Sequence, residues 1–234
     1  MTDLRIVDLA GEAQAFSDEL ADWRHELHRI PELSLSLPQT SAFVRQHLQE
    51  LGIPFRTAVD GSCVIALIGR GAQAAAAGDG TATDEEAGPT ILLRADMDAL
   101  PVAEESGEPF AATCGRMHAC GHDCHISMLL TAAMIVNEIR ARLKGTIVFA
   151  FQPAEELGLG ARAMIEEGAL EGVDACFGMH VWSDYPAGTV ALRKGPMMAS
   201  GDQFKIHVRG KSTHGAQPQL GADALIMGAA IAQN

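Results

Sequence analysis

Eight residues, His118-Ala-Cys-Gly-His-Asp-Cys-His125, hold three histidines, two cysteines and an aspartate. Imidazole, thiolate and carboxylate are the donors that borderline metal ions take, so the run is a candidate metal site. Cys120 and Cys124 also form a Cys-x3-Cys pair, a weaker redox signal because redox motifs commonly have two intervening residues. Further along stand the adjacent carboxylates Glu155-Glu156, and His180 in "FGMH". A hydrolytic metal site needs ligands, an open position for water, and a base to take that water's proton. Cys120, His122, one glutamate and His180 offer S, N, O and N donors suited to zinc, manganese or a similar ion. Neighbouring carboxylates repel, and on an extended or turning segment successive side chains diverge. Glu156 as ligand and Glu155 as general base is the natural division. Asp98, in "LLRADMD", is placed to orient a ligand imidazole from behind. Asp96 and Asp98 both keep a structural hydrogen bond as the alternative.

The elements that must position these residues follow from apolar periodicity. Phe16, Leu20, Trp23, Leu27 and Ile30 recur at steps of three and four until Pro31, which predicts a helix. A second helix is expected from about Thr40, through Phe43, Val44, Leu48 and Leu51, with Gly52 placed to end it. "SCVIALI", "TILLRADM", "GTIVFAF" and "DACFGMHV" read as strands. "CHISMLLTAAMIVNEIRARL" reads as a long helix whose Met128, Leu129, Ala132, Ile135 and Val136 stripe is core, and "ARAMIEEG" as a short helix. "GAQAAAAGDGTATDEEAG" lacks any large apolar residue and is expected to be a flexible surface loop. Such alternation predicts an α/β sheet layered with helices. Open sheets of this kind gather ligands at the carboxyl ends of strands, and the candidate residues all sit at strand ends or helix entrances. The last ~35 residues, with a strand-like "GDQFKIHVRG" and a helical "GADALIMGAAIAQN", begin a second domain. His25, His28, His47 and His207 fall on helix or strand surfaces and receive no role, while His118 and His125 pack around the cluster.

With 47% apolar residues, the 234-residue chain has enough material for a sizeable core. Its formal charge of −13 disfavours nucleic acid or an anionic membrane surface as partner. No run of 18 apolar residues suggests a membrane span, and the opening "MTDLRIVDLAGEAQAF" lacks the basic-then-apolar order of a signal peptide, so a cytoplasmic location is expected. Five cysteines, Cys63, Cys114, Cys120, Cys124 and Cys176, suit reduced thiols or a metal ligand better than a disulfide framework.

Six ordered motifs then carry a resemblance: "HRIPELSLSLPQT", "LLRADMDALPV", "GRMHACGHDCH", "GTIVFAFQPAEE", "FGMHVW" and "GKSTHGAQPQLGADA". Together they resemble the amidohydrolase branch of the aminoacylase and carboxypeptidase metallopeptidase family, which includes hippurate hydrolases, N-acyl-amino-acid amidohydrolases and auxin-conjugate hydrolases. The resemblance implies a mixed-sheet, zinc-exopeptidase-like catalytic domain sandwiched by helices, here residues 1–198. Residues 199–234 would begin a smaller α+β lid and dimerisation domain. It implies two divalent ions per subunit, manganese or zinc, with Cys120, His122, Glu156 and His180 as ligands. Glu155 would be the catalytic base, and His214 of the Thr-His-Gly-Ala motif would assist substrate binding or oxyanion stabilisation. The implied substrate is a small N-acyl amino acid, cleaved to a carboxylic acid and a free amino acid, by a protein that forms a homo-oligomer through its complete lid. This chain has Cys124 where the family usually has glycine. Family members also extend beyond this chain's length and supply one more ligating histidine. The competing expectations are therefore an inactive metal-binding fragment, or a dipeptidase or deacetylase of the same family.

Overall fold

The computed structural model describes residues 9–69, 88–202 and 204–233, and it divides into two compact units, Met1–Asp184 and Tyr185–Asn234. The expected Ala- and acid-rich loop lies, apart from Gly88, outside the described residues.

In the first unit a five-stranded sheet has the order β1-β2-β4-β3-β5. Its strands are β1 (Phe55–Ala58), β2 (Cys63–Gly69), β3 (Thr90–Asp96), β4 (Thr146–Gln152) and β5 (Ala175–Gly178). β1 with β2 and β2 with β4 are antiparallel, whereas β4, β3 and β5 run parallel. The two central strands β2 and β4 are nearly continuous apolar runs because both of their faces are covered. β1 has only four residues and too little alternation to announce itself in the sequence; its pairing with β2 creates it.

Helices α1 (Leu9–Ala15), α2 (Ser17–His28), α3 (Pro38–Glu50), α4 (His122–Glu138) and α5 (Gly160–Glu166) belong to this unit. α2 and α3 bury the faces the periodicity predicts, through Trp23 and Leu27, and through Val44 and Leu48. Pro38 sits at the start of α3, where its missing N–H costs nothing, and Gly52 just past the end adopts a φ of +66°. α4 is buried on most sides, so its apolar stripe is joined by buried Ser127 and Thr131, whose hydroxyls donate to the carbonyls of Asp123 and Ser127. The main core gathers α2, α3, α4 and one sheet face around Phe149, Phe151, Ile126 and Leu130.

The sheet aligns what matters here. Asp96 on β3 registers with Gln152 on β4, and Arg94 with Gly178 on β5. The carboxyl ends of the three parallel strands therefore share one edge, and the strand-to-helix segments of that edge carry the candidate residues.

The second unit contains an isolated bridge between Lys211 and Ala222, a 3-10 turn at Pro218–Leu220, and α6 (Ala224–Gln233). The strand expected in "GDQFKIHVRG" does not form among the described residues: alternation supplies a face, but a strand also needs a neighbouring edge for its ladder. Phe204 and Ile206 are accordingly exposed.

Candidate metal centre

Three turns at the sheet edge build the site. The first enters α4. Gly121 there adopts φ +84°, a left-handed conformation that glycine takes without penalty. This reversal lets Cys120 and His122 face a common centre. His122 is fully buried, and its Nδ1 lies 2.7 Å from the carbonyl oxygen of Asp98. A carbonyl only accepts, so Nδ1 carries the proton and Nε2 presents its lone pair. That Nε2 is buried and has no hydrogen-bond partner.

The second turn follows β4. Ala154, itself buried, holds φ +51°, a conformation that costs a non-glycine residue about 1–2 kcal/mol. Asp98 offsets this by accepting the Glu155 N–H at Oδ1 (2.8 Å) and the Glu156 N–H at Oδ2 (3.2 Å). Asp98 thus fixes both glutamates through its carboxylate and His122 through its main chain. Gly160 closes the same turn: a Cβ there would lie 1.5 Å from the carbonyl oxygen of Pro153.

The third turn follows β5. His180 is exposed, its Nδ1 donates to the carbonyl of Val181 (2.6 Å), and its Nε2 faces Cys120 Sγ at 3.4 Å. Both candidate ligand histidines therefore have Nδ1 fixed by a backbone carbonyl and Nε2 turned inward, the arrangement that metal-binding imidazoles use.

Around His122 Nε2 lie Asp96 Oδ2 at 3.6 Å, Glu156 Oε1 at 3.7 Å and Glu155 Oε2 at 3.8 Å. None of these is a hydrogen bond. Donors bound to one tetrahedral ion at about 2.1 Å would stand roughly 3.4 Å apart, close to these separations. Cys120–His122–His180, Asp96–His122–His125 and His122–Glu155–Glu156 each bring one donor atom per residue within 4.8 Å of the others. Glu156 Oε1 is likewise buried without a hydrogen-bond partner. Burial and the neighbouring Glu156, Glu155 and Asp96 push the Cys120 thiol up to about 12. Burial pushes the Cys124 thiol to about 11. A redox role for this pair finds no support here, since neither thiol is activated. Burial works against a charge on His122, but the surrounding carboxylates outweigh it and raise its pKa. A divalent cation meets the need of this donor set.

The cluster joins Cys120, His122, Glu155, Glu156, His180 and Asp98; His214 belongs to the second unit. There His214 Nδ1 accepts the Ala216 N–H at 3.1 Å, leaving Nε2 as the protonated nitrogen. Arg94 escapes a motif reading, whereas His125, expected to pack around the cluster, is found there. Arg94 places Nη1 2.7 Å from Asp96 Oδ2, and His125 places Nδ1 2.5 Å from Asp96 Oδ1. The alternation of β3 was the available signal for Arg94, since it points Arg94 and Asp96 the same way. His28, expected on a surface, is instead buried: Nδ1 lies 2.8 Å from Asp123 Oδ2 and Nε2 3.1 Å from both Glu104 oxygens.

The fold and this site define a metallopeptidase-type α/β domain. Residues 92–232 match the family model for peptidase family M20/M25/M40, and the chain belongs to that family. It is 44% identical over 209 residues to an N-acetyl-L-cysteine deacetylase of Bacillus subtilis, covering 89% of this chain and 47% of that protein. An N-acyl-L-amino acid amidohydrolase of Geobacillus stearothermophilus is 40% identical over 241 residues, covering 100% of this chain and 59% of the relative. Among solved structures, the Bacillus subtilis YXEP protein, described as a dinuclear metal-binding peptidase of the M20 family, shares 43% identity with a TM-score of 0.69, over 78% of this chain and 48% of that one. The chain thus spans about half the length of the relatives it matches. The mixed α/β sheet with its helices is that of M20 catalytic domains. No helix among the described residues is long and apolar enough to cross a membrane.

Proposed function

We propose that this chain carries the metal-binding half of a cytoplasmic amidohydrolase that cleaves N-acyl amino acids to a carboxylic acid and a free amino acid. The observation that carries the reading is the convergence of donor atoms on His122 Nε2, with that nitrogen and Glu156 Oε1 buried and unpartnered. Cys120, His122, Glu156 and His180 would hold the ions, two per subunit, manganese or zinc. When bound, they supply positive charge that acidifies a water and polarises the scissile carbonyl. Their charge would also offset the local field of a strongly acidic chain at Cys120, His122, Glu156 and His180, which would favour an anionic substrate.

Glu155 is the base. Its side chain is 38% exposed against 23% for Glu156, so it is the one of the pair that reaches solvent-borne water. Asp98 grips its backbone amide and fixes where the carboxylate starts, so that one oxygen takes the proton of the water and delivers it to the leaving amine. His214, whose tautomer leaves an outward Nε2–H, is assigned to the developing oxyanion. Residues 1–198 form the catalytic domain in this reading, and 199–234 begin a lid through which subunits pair. The relative named as an N-acetyl-L-cysteine deacetylase supports acetylated amino acids as one substrate class.

The test is hydrolysis of benzoyl-glycine and acetylated amino acids by metal-stripped protein resupplied with manganese or zinc. Turnover that depends on metal and falls 10²–10⁴-fold in Glu155→Gln, with metal still bound, is expected. Turnover that survives either metal removal or this substitution would contradict the reading.

A further inference from the structure

His180 lies beyond the part of the sheet that could hold it. β5 pairs with β3 only as far as Gly178 opposite Arg94, so from Met179 onward no ladder fixes the backbone. The polar groups of this segment must find other partners or lose free energy. The Val181 N–H finds one in the side chain of His125: it donates to Nε2 at 2.9 Å. An Nε2 that accepts leaves the ring proton on Nδ1, which points at Asp96 Oδ1. Asp96 is in turn held by Arg94 on its other oxygen, and Arg94 Nε donates to Gln152 Oε1 at 2.9 Å. On the opposite side, the Val181 side chain closes against Gly121, where a Cβ would meet Val181 Cγ2 at 2.5 Å. The carbonyl of the same Val181 accepts from His180 Nδ1.

We propose that His125 is a positioning residue, whose Nδ1–H tautomer, set by Asp96, clamps the Val181 backbone and so aims His180 Nε2 at the centre formed with Cys120 and His122. Although its ring lies within ligand distance of Asp96 and His122, both of its nitrogens are engaged, so it serves the site from behind rather than as a ligand. The inference rests on the metal-centre reading above and adds a residue to it. Outer partners of this kind typically change metal affinity by about 10–100-fold when removed.

Two isosteric substitutions separate the clamp from simple packing. Asn at position 125 keeps an N–H near Nδ1 for Asp96 but presents nothing to Val181. Gln keeps an acceptor near Nε2 for Val181 but abandons Asp96. The experiment titrates the metal-stripped wild type, His125→Gln, His125→Asn and His180→Ala with Co2+, whose visible spectrum reports thiolate and imidazole ligation, and records thermal unfolding of each. The clamp predicts that His125→Asn weakens binding about 10–100-fold, approaching His180→Ala, while His125→Gln stays within about threefold of wild type. Asn binding as well as wild type, or Gln binding worse than Asn, overturns the proposal. A variant that fails to fold is replaced by nitrogen NMR of the wild-type ring: protonated Nδ1 with bare Nε2 is expected, and the opposite tautomer overturns the clamp. A wild type that binds no Co2+ refutes the metal-centre reading, whereas the ring tautomer still decides the clamp.

Discussion

Two polar clusters meet at the first turn of α4, and adjacent residues belong to each. His122 faces Asp96, Glu155, Glu156 and Cys120, while Asp123 faces Arg24 and His28, the latter also gripped by Glu104. Behind the helix, two carboxylates meet two cations. Arg24 Nε donates to Asp123 Oδ2 at 2.9 Å, and both nitrogens of His28 face carboxylates, which its Asp123 hydrogen bond and Glu104 reward with a raised pKa despite burial. In front, Arg94 and His125 hold Asp96, while Glu155 and Glu156 both face the one imidazole of His122 and the Cys120 thiol faces His180. Proteins pair their buried charges when stability is the only demand. The rear cluster balances its carboxylates with cations from the chain itself, although Asp123 Oδ1 has no hydrogen-bond partner, whereas the front cluster gathers more anionic donors than the chain's cations balance.

The sharpest way to break this contrast is Asp123→Ala. It leaves Arg24 and His28 facing an uncompensated cavity and is expected to lower stability by about 3–5 kcal/mol in denaturant melts, the usual loss when one partner of a buried pair is removed. A loss below 1 kcal/mol would show that the rear cluster is not a closed structural unit. Next comes Gly121→Ala, which forces a side chain into φ +84° and against Val181. About 1–3 kcal/mol of stability should be lost, with a disproportionate fall in metal affinity because Cys120, His122 and His180 all hinge on that turn.

pH separates the clusters by sign. His28 has a raised folded pKa, so its contribution is fully present below its unfolded value near 6.5 and is lost as pH rises through the folded value. Burial works against charge on Asp123 and Glu104, but their hydrogen bonds outweigh it and lower both, so their contribution is present above about pH 4 and lost as pH falls. Metal-free stability should therefore peak between about pH 4.5 and neutrality. Metal affinity should move the other way, rising through neutral pH and beyond, because Cys120 at about 12 and His122 with its raised pKa must surrender protons to a cation. Parallel pH profiles for stability and affinity would merge the two clusters into one.

The smallest effect is the most specific. Neutralising a carboxylate in an unbalanced cluster relieves repulsion, so Glu155→Gln should leave the metal-free chain as stable as before or stabilise it by up to about 1 kcal/mol. A marked destabilisation would mean that Glu155 is structural.

The front cluster was legible in the sequence because its donor residues come in short, contiguous runs: Cys-Gly-His, Glu-Glu and Gly-Met-His each place a donor at a predicted strand end or helix entrance. The layered α/β class was legible too, since β2, β3, β4 and α4 are long, largely apolar runs. What was not legible depends on partners far apart in the chain. His28 looks like any residue on a helix until Asp123, 95 positions away, folds beside it. The carbonyl of Asp98 and the N–H of Val181 are invisible to a reading of side chains. β1 and the strand expected in "GDQFKIHVRG" err in opposite directions for one reason: a neighbouring edge, absent from any local pattern, decides whether a short run becomes a strand.

The most direct measurement is equilibrium titration of the metal-stripped chain with Mn2+ or Zn2+, counting bound ions and released protons while following thermal unfolding. Saturable binding with proton release and a raised unfolding temperature is expected, weakened in Cys120→Ala and His122→Ala but retained in Glu155→Gln. A folded chain that binds neither ion saturably, or binds equally well without Cys120 and His122, would contradict it.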